Sequence, residues 1–298
     1  MIDPQRLAVL REVARAGSFA GAAATLRHTP SAVSQQVAAL ERSAGHTLVE
    51  RSTRGVTLTA AGRVLLGTAD AVHAELRAAE RELRGLAIEG PRALTVATFP
   101  SAGEPVLVPA LTSLADPHRP IDITVVEAEP AAALALVRDG DADLALVYHF
   151  HTRRPPREWP DQGGRGRYAP LKEDRLRLVV PRDHPLARRS TTRLDDVADE
   201  RWIQGWGETG DLLDVLAATH GFRPQVACRS SDYRFMSALV GAGVGVALIP
   251  ELALANHHNV AAVDITPAPI RYVGAYLPNR RWQNPLTARL MDALQTQP

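Results

Sequence analysis

SFAGAAATLRHTPSAVSQQVAALE, residues 18–41, carries apolar side chains at Phe19, Ala22, Ala23 and Leu26, breaks at Arg27-His28-Thr29, and resumes the same period at Val33, Val37 and Leu40. Two short helices, each with one buried stripe and separated by a three-residue interruption, form a helix-turn-helix. Thr29 is placed to cap the second helix, and Pro30 suits its first position, where the missing N–H costs nothing. With the valines and Leu40 turned inward, Ser31, Ser34, Gln35 and Ala38 occupy the opposite face near the N-terminal end. Hydroxyls and an amide there reach base edges or phosphates when such a helix lies in a major groove, and glutamine pairs bidentately with adenine. Upstream, Pro4 to Ala16 turns Leu7, Leu10, Val13 and Ala14 inward and completes a three-helix core.

LVERSTRGVTLTAAG, residues 48–62, follows. Its alternation predicts two short strands, Leu48 to Arg51 and Val56 to Leu58, around a tip bearing Arg51 and Arg54. Arginines on such a wing hold phosphate or a narrow minor groove and supply affinity more than readout. Residues 1–62 hold seven arginines against four acids, an excess that agrees with a nucleic-acid face without proving one. The plainer reading is an Ala-rich three-helix subdomain whose serines are merely solvated.

Beyond the wing, Leu65, Ala69, Val72, Leu76, Ala79, Leu83 and Leu86 recur at alternating spacings of four and three, a heptad stripe uninterrupted by proline. A stripe this narrow suits a partner helix better than a globular core, so the segment predicts a dimer with two heads.

At 298 residues the chain has room for about two domains. One cysteine, Cys228, excludes a disulfide within the chain, and its neighbours suggest a buried strand thiol. Basic residues are almost all arginine, Lys172 being the single lysine. No apolar run approaches a membrane span, and the first residues carry Asp3 where a signal peptide would need an apolar core. The expected location is the cytoplasm.

After Gly90-Pro91, strand and helix patterns alternate: Ala93 to Ala97 strand, Val106 to Leu114 helix, Ile121 to Val126 strand, Ala131 to Arg138 helix, Ala142 to Val147 strand. Such alternation predicts a parallel sheet covered by helices. The Pro/Gly/Arg-rich stretch from Arg153 to Arg167 reads as a crossover loop. A second unit runs from the Leu176 to Val180 strand through the Trp202 strand, the Asp211 to His220 helix, the Gln225 strand and the Asp232 helix to a Gly-rich turn ending at Pro250. Arg271 to Leu277 and Pro285 to Leu294 close the chain as strand and helix. Two similar α/β units joined by crossovers describe a periplasmic-binding-protein-like clamshell with ligand between its lobes.

The run Ser18-Phe19, Ala22-Ala23-Ala24, Leu26, Ser31-Ala32-Val33-Ser34, Leu40-Glu41, Leu48, Glu50-Arg51, Leu58-Thr59 and Gly62 resembles the N-terminal signature of the LysR-type transcriptional regulators. Val49 stands where that family usually has Phe, and Gln35 where Arg or Lys is common. Pro181-Arg182-Asp183-His184-Pro185-Leu186-Ala187, the Gly-rich turn, and Ala142 to Leu146 with Glu127 are similar to the family's effector domain. The resemblance implies a linker helix that pairs the heads on an inverted-repeat site, a tetramer built as a dimer of dimers, and a chain that returns to its first lobe near the end. The expected architecture is an all-α winged helix-turn-helix domain (1–62), a linker and dimerisation helix (63–89), and a two-lobed α/β effector domain (90–298; lobe I 90–165 plus 270–298, lobe II 166–269).

Ligands in such sheets bind beyond the carboxyl ends of strands, against helix N-termini. Thr98, Phe99, Pro100 and Ser101 follow the first strand, Glu129 the second, Tyr148 the third, and Gln204 and Trp206 the Trp202 strand; Ser230 and Ser231 cap the Asp232 helix. These are the expected cleft residues, with Phe99 and Trp206 favouring a flat or apolar ligand part and Glu129 a donor-rich one. Asp139-Gly140-Asp141-Ala142-Asp143 resembles a calcium loop but has Leu144 and Phe150 where Gly and a bidentate Glu are needed. His149-Phe150-His151 and His257-His258 lack the further ligands of a metal site. No Rossmann, P-loop or nucleophile-elbow motif occurs, so neither a cofactor nor catalysis is expected. The expected partners are double-stranded DNA, an unidentified small-molecule effector and further copies of the chain, with no membrane. The alternative is a small-molecule-binding protein or enzyme that uses the N-terminal helices only to dimerise.

Overall fold

The computed structural model describes residues 2–52, 55–86, 92–116, 118, 120–150, 166–205, 208–254, 258–278 and 284–297. The head contains α1 (Pro4–Ala16), α2 (Phe19–Leu26) and α3 (Pro30–Ala44), then an antiparallel wing of β1 (Val49–Ser52) and β2 (Gly55–Leu58). Each helix starts on a side-chain cap: Asp3 accepts from the Gln5 amide, Ser18 from Gly21 and Thr29 from Ala32. Leu7, Leu10, Val13, Ala22, Ala23, Val33, Val37, Leu40 and Leu48 form one closed core.

The family-like residues of the head each have a local task. Glu41 Oε1 accepts from the amides of Leu48 (2.8 Å) and Val49 (3.3 Å), holding the start of the wing against α3. Thr59 Oγ1 donates to the Thr47 carbonyl at 2.7 Å and accepts from the Gly62 amide at 3.0 Å, starting the long helix α4 (Ala60–Leu86). A Cβ on Gly62 would sit 2.0 Å from the Leu48 carbonyl oxygen, so the helix crosses the wing at a distance only glycine allows.

The remainder begins with β3 (Arg92–Thr98) and a helical run of α5 (Pro100–Ala102), a π-turn (Gly103–Leu107) and α6 (Val108–Leu114). Pro105 and Pro109 remove ladder donors within that run, consistent with the local widening of its hydrogen bonding. Then come β4 (Ile121–Glu127), α7 (Pro130–Asp139), β5 (Leu144–Phe150), β6 (Gly166–Pro181), β7 (Thr191–Thr192), β8 (Arg201–Gln204), α8 (Glu208–Thr219), β9 (Gln225–Arg229), α9 (Tyr233–Gly241), β10 (Ala247–Pro250), β11 (Val260–Ile265), β12 (Ile270–Pro278) and α10 (Pro285–Gln295).

The main sheet runs β4-β3-β5-β12-β6-β11-β7, with β10 also on β6, and β8-β9 form a smaller sheet. Parallel pairing holds across β4-β3-β5 and in β8-β9, as the alternation predicted. β12 returns from the chain's end antiparallel to β5 and β6, and β10 and β11 are antiparallel to β6, while β11 pairs with β7 in parallel. The strand predicted over 176–180 is the C-terminal part of the sixteen-residue β6. Its first half pairs with β12 and its second with β10 and β11, so one strand passes from the first lobe into the second. Phe150, at the end of β5, packs against the cores of both lobes.

Asp139-Gly140-Asp141 is a helix-to-strand turn, with Gly140 left-handed at φ 78°. Among the described residues no group of His, Cys, Asp or Glu has a metal-binding arrangement; His151 and His257 lie outside them. Cys228 is half-buried on β9, rather than the buried thiol its neighbours suggested. Among the described residues no helix is long and apolar enough to cross a membrane.

Candidate functional site

On the head, α3 and its cap present Thr29, Pro30, Ser31 and Gln35 exposed and Ser34 half-buried beside them. Thr29 Oγ1 lies 3.1 Å from Ser31 Oγ, so the cap and the first exposed hydroxyl share a hydrogen bond. The wing reaches this face through Arg51, whose Nη2 donates to Ser34 Oγ at 2.9 Å while its guanidinium lies 4.6 Å from the Phe19 ring centroid. A cation held against an aromatic face and tied to the helix is fixed in place in advance. The wing is itself fastened to the head: the Val56 amide donates to the Gly17 carbonyl at 2.8 Å. Arg54 lies outside the described residues.

The linker stripe divides. Leu65 and Ala69 pack into the head's own core, and Val72 is half-buried. Ala79 is exposed, and Leu76 and Leu83 are 59% and 64% exposed; the Leu86 side chain is outside the description. Polar flanks of the helix are also used within the chain. Arg11 of α1 donates to Asp70 of α4 at 3.1 Å and pairs with Asp139 at the end of α7; Arg77 of α4 pairs with Asp141 at 3.0 Å. The would-be calcium loop is thus an acidic seat for the head and linker.

Between the lobes lies a pocket lined by Phe99, Pro100, Ser101, Glu129 and Tyr148 from one side, Gly205, Ser230, Ser231 and Tyr233 from the other, and Arg271 on β12. It offers about 20 Å³, enough for roughly one water. Of the expected cleft residues, Phe99, Pro100, Ser101, Glu129, Tyr148 and Ser231 meet here. Thr98 is buried, its hydroxyl donating to the Phe99 carbonyl at 3.3 Å, and does not line the pocket. Gln204 is buried behind the wall, donating to the Gly210 carbonyl at 3.0 Å and accepting from Arg229 Nε at 3.1 Å. Trp206 lies outside the described residues. The cap of α9 is Asp232, not Ser230-Ser231; Ser230 Oγ accepts from the Asp232 amide at 3.1 Å.

Sequence reasoning missed the charged centre of this pocket. Arg271, 1% exposed, donates from Nε to Asp174 Oδ2 at 2.9 Å, from Nη2 to the same oxygen, and from Nη2 to Ser101 Oγ at 3.0 Å. Its guanidinium also lies 5.0 Å from the Phe99 ring centroid and 4.8 Å from that of Tyr148. Asp174 and Arg271 are register partners across β6 and β12, and Asp174 also accepts from the Leu252 amide at 3.0 Å. A lone arginine in the apolar run IRYVGAYL was the available signal. Across the pocket, Tyr148 donates its hydroxyl to Glu129 Oε2 at 2.8 Å.

A winged helix-turn-helix head, a long connecting helix and a two-lobed α/β domain with a pocket between the lobes define a ligand-responsive, DNA-binding transcriptional regulator. Residues 4–63 match the bacterial regulatory helix-turn-helix protein, lysR family, and residues 89–298 match the LysR substrate binding domain. The chain belongs to the LysR family of transcriptional regulators. It is 31% identical over 243 residues to the HTH-type transcriptional regulator ShiR of Corynebacterium glutamicum, covering 77% of this chain and 76% of that one. Its fold is similar to that of a Corynebacterium glutamicum OxyR C206 mutant, with a TM-score of 0.57 at 24% identity, over 99% of this chain and 91% of that one. It is similar also to the effector binding domain of QuiR in complex with shikimate, with a TM-score of 0.57 at 19% identity, over 69% of this chain and 96% of that one. Family and relatives are transcriptional regulators and not enzymes, and nothing supports the alternative of a binding protein or enzyme that merely dimerises through its N-terminus.

Proposed function

We propose that the regulator lays α3 in a DNA major groove, with Ser31, Ser34 and Gln35 reading base edges and Thr29, Pro30, Arg51 and Arg54 setting the head on the backbone. The observation that carries this reading is Arg51, held by Ser34 and Phe19 on the same exposed face as the α3 hydroxyls. Residues 1–62 act as the reading head, 63–89 as the linker, and 90–298 as the sensing part, with lobe I formed by 90–165 and 270–298 and lobe II by 166–269. Two copies pair through the exposed portion of the linker stripe, Leu76, Ala79 and Leu83 with Leu86, so that paired heads read an inverted repeat. The working assembly is a dimer of dimers in the cytoplasm.

The effector sits between the lobes against Phe99, Pro100, Ser101, Glu129, Tyr148 and Ser231, with Thr98 and Gln204 buried behind them. A molecule that binds the closed arrangement more tightly than the open one shifts the lobes, and through them the spacing of the heads. The complex of QuiR's effector binding domain with shikimate supports a small molecule in the corresponding domain here. Footprinting on the DNA upstream of the protein's own gene tests the reading. Protection of two half-sites about one helical turn apart is expected; no sequence-selective protection on any promoter rejects it.

A further inference from the structure

The pocket's charge distribution identifies the chemical class of its occupant, on the reading that a small molecule binds between the lobes. An anion would need a free cation or a helix N-terminus. The buried cation and the N-terminus of α9 are taken by the protein's own carboxylates, and Glu129 stands before the uncapped N-terminus of α7. Arg271 is neutralised by Asp174, bonded to Ser101 and flanked by the Phe99 and Tyr148 rings. The N-terminus of α9 is filled by Asp232, whose Oδ1 accepts from the amides of Arg234 (2.8 Å) and Phe235 (3.1 Å). Arg229 does not line the pocket; its Nε is turned onto Gln204 behind the wall.

Glu129 is the contrasting group. It stands at the N-cap of α7 without a side-chain bond to that helix. Its Oε2 instead takes the Tyr148 hydroxyl on the pocket wall, and the carboxylate retains lone pairs for a further donor. Among the described residues that line the pocket, Arg271 is balanced by Asp174, and Glu129 adds one negative charge beside the rings of Phe99, Tyr148 and Tyr233. Aromatic faces and a carboxylate suit a cation and repel an anion.

We propose that the effector is a small organic cation, an amine or amidine carried on a flat or apolar body, whose N–H groups donate to Glu129 and whose body lies against the aromatic wall. The hydroxyls of Ser230 and Ser231 border the same space and supply secondary polar contacts.

Benzamidine, benzamide and benzoate share one size and shape and differ in charge, so they serve as probes for the full-length protein by thermal shift and calorimetric titration. Benzamidine is expected to bind saturably at millimolar concentration and raise the melting temperature, with benzamide weaker and benzoate without effect. Glu129→Gln, which retains an oxygen acceptor for Tyr148, is expected to melt near the parent temperature and to weaken benzamidine roughly tenfold or more. Ser231→Trp, which fills the pocket from the other lobe, is expected to abolish binding. Absence of benzamidine binding, or benzamidine binding indifferent to Glu129→Gln, overturns the proposal. Saturable benzoate binding removed by Ser231→Trp overturns the charge assignment while leaving an effector between the lobes. Benzamidine binding untouched by Ser231→Trp places it elsewhere and counts against both.

Discussion

Arg51 of the wing donates to Ser34 Oγ of α3 at 2.9 Å, although seventeen residues separate them. The wing and the recognition helix therefore present one surface, with the guanidinium braced against Phe19. Arg51→Ala is expected to weaken binding to all DNA sequences about equally and to lower the magnitude of the salt slope by about one. Fluorescence anisotropy over a salt series checks this. An unchanged slope removes Arg51 from the interface.

The buried pair Arg271–Asp174 joins β12 to β6 at the passage between the lobes. Removing one partner strands a charge that is almost wholly inaccessible, so Asp174→Ala should cost about 3–5 kcal/mol. The double substitution Asp174→Leu with Arg271→Met should recover most of that loss. Denaturant melts of Asp174→Leu, Arg271→Met and the double variant decide it, and additive losses would show that the pair is not coupled.

Gly62 allows α4 to cross the wing. Its Cβ position lies 2.0 Å from a backbone oxygen, so the neighbour cannot yield by rotating a side chain. Gly62→Ala should destabilise the head by about 1–3 kcal/mol, whereas Gly45→Ala, in open space but with φ of 70°, tests strain alone. Hydrogen exchange at the wing amides reports where the damage falls.

Burial pushes the Tyr168 phenol up to about 12. In the unfolded chain it ionises near pH 10. The folded state therefore holds its proton longer, and the associated stability is full below about pH 10 and lost as pH rises towards 12. An absorbance titration of the five tyrosines should show a late step that disappears in Tyr168→Phe. A variant with the same late step refutes the assignment.

The head was legible in the sequence because its determinants are short-range: the stripe through Val33, Val37 and Leu40, the Thr29 cap and Pro30 all act within one or two turns. The pocket was legible only as a set of strand ends. Phe99 and Tyr148 lie on its wall, but Thr98 and Gln204 turn their side chains elsewhere, since adjacent positions at a strand end point to different places. Arg271 and Asp174 stand 97 residues apart, beyond any periodic signal. The two-residue β7 has too little pattern to read, and β11 exists through its pairing with β6. A heptad records an apolar stripe but not its partner, which is why Leu65 and Ala69 could be claimed by the head.

Arg11 belongs to the head, Asp70 to the linker and Asp139 to the effector part, and one guanidinium engages both acids. Arg77 and Asp141 add a second, more exposed tie at the same turn. Rotating the first lobe must therefore drag the reading helices or break these pairs. Both ties are electrostatic and partly open to solvent, so dissolved ions loosen them. The same ions compete with the protein for phosphate. Ionic strength enters this regulator twice, once at its grip on DNA and once at the joint that orients the grip.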